Sequence, residues 1–141
     1  LILGAPGWGK TTLLRDVVRT LSLQHVIAVV DERGELFPEE FAQSPRFDVL
    51  TGCPKASGIE ILLRCMGPEY IAVDEITAEE DTEALLSAYG SGIKLLATAH
   101  AGSIEEFLGR MTYRKLIDHK VFKTALILRQ DKSYTLERIL A

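Results

Sequence analysis

Cysteine is scarce in this 141-residue chain: Cys53 and Cys65 stand alone, too far apart for a Cys-x-x-Cys motif. His25, His100 and His119 form no ligand spacing with them, so neither a disulfide framework nor a structural metal is expected. Reduced thiols in a cytosolic protein are the plain reading. Long apolar runs are also missing. The longest clear one, Val26 to Val30, has the length of a strand, whereas a bilayer span needs ~20 residues. Eleven glycines and five prolines are too few for a collagen-like chain, and 47% hydrophobic content is too high for disorder. There is no initiator Met and no signal peptide, so the chain is expected to be a piece of a longer protein. At this length one domain over residues 1–141 is the default, with roughly two-thirds of the unfolded surface buried.

Excess charge of either sign is absent overall, the formal net charge being −4. That argues against a surface that is wholly a nucleic-acid footprint, and no nucleic-acid partner is expected. The distribution is uneven. Residues 1–108 carry eight Lys/Arg against 17 Asp/Glu, and residues 109–141 carry eight against three. A cationic end facing an acidic body suits head-to-tail assembly or an acidic partner; an ordinary solvated face would look the same.

Strand and helix patterns alternate along the chain. Leu1 to Leu3 is the stub of a strand, and Leu13, Leu14, Val17, Val18 and Leu21 follow at helical spacing. His25 to Asp31 reads as a strand ending in acids. Residues 32–57 are loop-rich, with Pro38, Pro45 and Pro54 as breakers and a short strand at Phe47 to Leu50. Gly58 to Met66 reads as a helix, Tyr70 to Asp74 as a buried strand, and Thr77 with Glu80 as the capping box of a helix through Tyr89. Lys94 to Ala99 is a further strand, and Ser103 with Glu106 caps the next helix. Val121 to Arg129 and Tyr134 to Leu140 flank a short turn and read as a terminal hairpin. The alternation predicts an α/β fold, a mostly parallel sheet with helices on both faces, whose ligands sit at the carboxyl ends of the strands.

Gly4-Ala5-Pro6-Gly7-Trp8-Gly9-Lys10-Thr11 fits G-x-x-x-x-G-K-[ST], after a strand and before a helix whose first turn continues with Thr12. Composition alone produces this pattern in roughly one chain of this length in two hundred. Its glycines let successive N–H groups converge, and the helix N-terminus adds positive potential, so phosphate is held largely by backbone. Lys10 is expected on the β- and γ-phosphates and the Thr11 hydroxyl on Mg²⁺. Trp8 is unusual in such a loop and has no chemical role beyond packing or covering the nucleotide. Tyr70-Ile-Ala-Val-Asp74-Glu75 supplies the complement: Asp74 to hold Mg²⁺ through water, Glu75 to orient or deprotonate an attacking water. The adjacent acids favour ATP over GTP, and no N-K-x-D guanine-reading motif occurs. His100 closes an apolar strand, where it either senses the γ-phosphate or is a satisfied structural residue. Glu32 lies in Asp31-Glu32-Arg33-Gly34-Glu35, which is either part of the active site or a solvated loop.

Together these residues resemble the secretion-ATPase branch of the RecA-like P-loop ATPases, and within it the stage III sporulation protein AA family of spore-forming bacteria. Val30-Asp-Glu-Arg33, Gly52-Cys-Pro-Lys55, Val73-Asp-Glu-Ile76, Ala97-Thr-Ala-His100 and Lys120-Val-Phe122 carry the resemblance, which covers essentially all of the chain. Trp8 departs from the small residue usual there, and Gly34 stands where Ser is common, but no phosphate or Mg²⁺ ligand is lost. The resemblance implies a P-loop NTPase domain with a C-terminal β-hairpin, ATP and Mg²⁺ as ligands, and Glu32 and His100 as active-site residues. It further implies a ring-forming homo-oligomer, most often a hexamer. Its membrane-protein partners would belong to the channel joining mother cell and forespore, with the ATPase on the mother-cell side. A nucleic-acid-dependent motor and a nucleotide-gated module with little turnover are the competing readings.

Overall fold

The computed structural model describes residues 1–38 and 47–139; Pro45 and Leu140 lie outside them. Seven strands form one sheet: β1 (Ile2–Gly4), β2 (Ile27–Asp31), β3 (Phe47–Thr51), β4 (Tyr70–Val73), β5 (Lys94–His100), β6 (Thr124–Leu128) and β7 (Tyr134–Arg138). Their order is β3-β2-β4-β5-β1-β6-β7, every pairing parallel except β6 with β7. The helices are α1 (Lys10–Leu21), α2 (Lys55–Cys65), α3 (Glu79–Gly90), α4 (Ile104–Gly109) and α5 (Arg114–Asp118), with a 3-10 turn at Met111–Tyr113. The expected parallel sheet, two-sided helices and terminal hairpin are all present.

Strand β2 shows why the sheet needs cover on both sides. All five of its residues are buried, and alternate side chains enter different cores. Ile27 and Val29 join Leu14 and Val18 of α1, together with Ile2, Leu36 and Phe37. Ala28 and Val30 join Ile59 of α2, Leu85 of α3, Phe107 of α4 and Leu116 of α5. A strand with two wet-averse faces cannot sit at a surface, so the helices must divide between them.

Two helix starts differ from the sequence expectation. Helix α2 begins at Lys55, not Gly58, and Gly58 lies inside it with its N–H donating to the Pro54 carbonyl at 3.0 Å. A Cβ on Gly58 would stand 2.8 Å from Val30 Cγ1, so this glycine marks a close helix–sheet approach rather than a terminus. At α3 the capping acid is Asp81, not Glu80. Its Oδ2 accepts from the Thr77 and Ala78 N–H groups, both at 3.1 Å. At α4 the expectation holds: the Glu106 N–H donates to Ser103 Oγ at 3.1 Å, and the Gly102 N–H donates to Glu106 Oε2 at 2.7 Å. That Gly102 contact, with Arg110 second, holds the Glu106 carboxyl below the usual carboxylate range.

Candidate functional site

The chemistry-bearing residues gather at the carboxyl ends of β1, β4 and β5. Between β1 and α1 the chain takes left-handed backbone at Gly7 (φ 76°) and Gly9 (φ 100°), angles that side-chain-bearing residues resist. Lys10 folds back over this loop, its Nζ donating to the Gly4 carbonyl at 2.8 Å and the Ala5 carbonyl at 3.1 Å. Burial pushes the Lys10 pKa down, and the nearby Glu75 and Asp74 carboxylates act in the opposite direction. Trp8 is half-buried, with its N–H donating to the Ala5 carbonyl at 3.3 Å, while Pro6 and Thr12 are exposed.

Asp74 is fixed from a helix and a strand at once. Thr11 Oγ1 donates to its Oδ2 at 2.9 Å, and Thr98 Oγ1 donates to its Oδ1 at 2.8 Å. Thr98 is fully buried on β5, which lies between β4 and β1 in the sheet and so can reach both neighbours. The same hydroxyl accepts from the Glu75 N–H at 2.7 Å, and the Thr98 carbonyl accepts from the Ile76 N–H at 3.0 Å. Those contacts pin Glu75 in a left-handed conformation (φ 56°), which costs a non-glycine residue on the order of 1–3 kcal/mol. The Glu75 carboxylate lies 3.7 Å from Arg33 Nη1. A cavity of about 460 Å³ opens here, lined by Gly9, Lys10, Thr11, Asp74, Glu75 and His100, with Lys132 at its edge.

Glu32 is placed differently. Its carboxylate lies 3.2 Å from Nζ of Lys55, whose side chain is only 8% exposed and which also meets Asp81 at 3.6 Å and Thr77 Oγ1 at 3.4 Å. Among the described residues, Glu32 lines a smaller recess of about 20 Å³ that it shares with Glu75, not the larger cavity. Asp31 beside it is a structural acid. It accepts from the Glu35 and Leu36 N–H groups at 3.1 Å each and from the Phe37 N–H at 2.8 Å, closing the loop after β2.

Pro6, Gly7, Gly9, Lys10, Thr11, Thr12, Asp74, Glu75 and His100 therefore line one cavity, which Gly4, Ala5 and Trp8 do not, and Glu32 lies one recess away. Arg33, Lys55 and Lys132 are site neighbours that sequence reasoning missed, and Thr98 was visible only as a polar residue near a strand end. A buried lysine has no local signature, although Lys55 does sit in the Gly-Cys-Pro-Lys stretch. The donor set fits a hydrated divalent cation: a hydroxyl and a carboxylate side by side, both hard oxygen ligands, leaving further positions to water and phosphate. No group of three or more His, Cys, Asp or Glu among the described residues could hold a metal by protein alone. A second cavity, about 490 Å³, lies near Phe122 and Lys123 at the amino end of β6, and its lining carries no carboxylate, histidine or cysteine. No helix among the described residues is long and apolar enough to cross a membrane.

Comparison with known proteins bears on the family and the fold. The chain is 40% identical to stage III sporulation protein AA of Bacillus subtilis (strain 168), over 94% of this chain and 47% of that protein, so it spans about half the length of that curated relative. Among solved structures it is similar to the Legionella pneumophila ATPase DotB, at 21% identity with TM-score 0.65, covering 97% of this chain and 43% of that one. It is similar also to the pilus retraction motor PilT with bound ADP, at 19% identity with TM-score 0.66, covering 96% and 45%. At those identities the likeness is one of fold, that of the P-loop secretion ATPases. The family described as sporulation stage III, protein AA, matches residues 1–138, and the chain belongs to that family.

Proposed function

We propose that this chain is the Mg²⁺-dependent ATP-binding and hydrolysing core of a secretion-type motor that energises the channel between mother cell and forespore. The observation that carries the reading is the Thr11–Asp74–Thr98–Glu75 chain, which ties the phosphate loop to a strained carboxylate. The loop amides, with Ala5 to Thr12 around them, take the phosphates, and the Lys10 ammonium leaves its two carbonyls for the β- and γ-phosphate oxygens. Thr11 and Asp74 would hold Mg²⁺, which would supply positive charge to the phosphate chain when bound. Glu75 orients a water against the γ-phosphorus and accepts its proton. His100 closes the γ-phosphate side of the cavity, and Glu32, held by Lys55, is the reserve carboxylate. The pilus motor similar in fold was solved with ADP bound, which supports a nucleotide as ligand. In the complete protein the core forms a ring, most simply a hexamer, with ATP at subunit boundaries. It works at the cytoplasmic, mother-cell face of the forespore membrane with membrane-protein partners.

The test is a titration of the complete protein with Mg·ATP. Lys10→Ala should weaken binding more than about tenfold, because it removes a charge-assisted contact from a cradle otherwise built of neutral donors. Unchanged affinity would defeat the assignment of this loop.

A further inference from the structure

Lys132 is a cation of the cavity lining that the proposed reaction leaves unused, and it belongs to a different part of the fold from the phosphate loop. It sits in the turn between β6 and β7. That hairpin is packed on the loop: the Leu128 carbonyl stands 3.1 Å, and Leu128 Cδ2 3.8 Å, from the points where side chains on Gly4 and Gly9 would begin. Lys132 Nζ itself is 3.3 Å from the corresponding point on Gly9. The glycine therefore answers two demands at once, a positive φ and the close approach of an ammonium group.

The turn is built so that this side chain is aimed and unspent. Asp131 Oδ1 accepts from the Ser133 N–H at 2.9 Å and from Ser133 Oγ at 2.5 Å. Across the turn the Arg129 N–H donates to the Ser133 carbonyl at 2.9 Å, and the Lys132 N–H to the Arg129 carbonyl at 3.0 Å. Lys132 is held at φ 69°, where glycine would be easier. Among the described residues it makes no ion pair, yet it lines the same cavity as Lys10, Thr11 and Asp74. A nucleoside triphosphate with one divalent cation and one lysine still carries uncompensated negative charge.

We infer that Lys132 is a second phosphate-binding lysine, delivered by the C-terminal hairpin to the α/β side of a nucleoside polyphosphate bound in the loop. This rests on the nucleotide reading of the loop. The placement follows from Gly9: in such loops the backbone cradles the α- and β-phosphates, and the motif lysine reaches the β- and γ-phosphates. Lys132 therefore contributes equally to diphosphate and triphosphate binding and does not act on the chemical step.

Titrations of the complete protein with Mg·ATP and Mg·ADP test this, using Lys132→Gly, Lys132→Arg and the distant Lys123→Ala. Glycine suits the positive φ, so Lys132→Gly should keep thermal stability while both affinities fall about tenfold, the scale of a charge-assisted contact. The affinity of the variant should also depend less steeply on salt. Lys132→Arg should keep most of the binding, Lys123→Ala all of it, and kcat at saturating ATP should not move. Unchanged affinity in Lys132→Gly, with Lys10→Ala still defective, would overturn the inference and leave the nucleotide site standing. A loss confined to ATP would overturn the α/β placement. Failure of the wild type to bind either nucleotide would take down the nucleotide reading itself, and this inference with it.

Discussion

Thr98 does more at this site than its small size suggests. One hydroxyl donates to Asp74 and accepts from the Glu75 N–H, so it sets the Mg²⁺-side carboxylate and the strained one together. Thr98→Val keeps the shape and removes both bonds, leaving a half-buried N–H and a carboxylate oxygen without their partner. Stability should fall by about 1–3 kcal/mol. In the proposed reaction kcat should fall at least tenfold while nucleotide affinity changes little, since the loop amides and Lys10 are untouched. Thermal denaturation beside steady-state hydrolysis reads both quantities; a variant with wild-type kcat would show that Glu75 does not depend on this contact. The phosphate loop was legible in sequence because it is contiguous and made of backbone. Thr98, Arg33 and Lys55 were not, because their meaning arises across the sheet. Nothing local says that β5 inserts between β4 and β1, or that the exposed-looking residue after Pro54 is a buried cation.

Element boundaries follow the same division between local and tertiary causes. The Ser103–Glu106 cap of α4 needs only neighbours in sequence, and it forms as read. The start of α2 differs because residues 55–57 follow the breaker Pro54 and read as loop, while Gly58, a poor helix residue by propensity, is placed by the proximity of Val30. Gly58→Ala weighs those causes against each other. Alanine gains about 1 kcal/mol of helix propensity, whereas forcing a methyl to 2.8 Å from a β-branched side chain costs about 1–3 kcal/mol of overpacking. Net destabilisation of about 0–2 kcal/mol is expected in denaturant unfolding, and Gly58→Ala with Val30→Ala in the same chain should cost less than the sum of the two alone. A stabilised Gly58→Ala would mean that α2 can move off the sheet, and with it Lys55 and Glu32.

At the scale of the molecule the charge asymmetry is partly spent inside the chain. Lys115 lies 3.0 Å from Glu79 and 2.7 Å from Glu83, and Arg110 pairs with Glu106. Arg114, Lys120, Lys123, Arg129 and Arg138 make no ion pair among the described residues, so a basic surface remains to face an acidic partner or a second copy. A heterologous contact of that kind closes into a ring when its rotation permits. The complete protein should sediment as a ring with a non-hydrolysable ATP analogue; a monomer at high concentration, with turnover unaffected by dilution, would speak for the nucleotide-gated module instead.

The central claim is that Glu75 activates water at a nucleotide held by the loop. The measurement that reaches it most directly is the hydrolysis rate of the complete protein at saturating Mg·ATP, wild type against Glu75→Gln, with affinity measured on the same samples. Glu75→Gln should bind Mg·ATP as the wild type does and turn over at least ~10²-fold more slowly, the scale of lost general-base assistance. Normal turnover by Glu75→Gln would contradict the account and pass the role to Glu32, across the recess the two share.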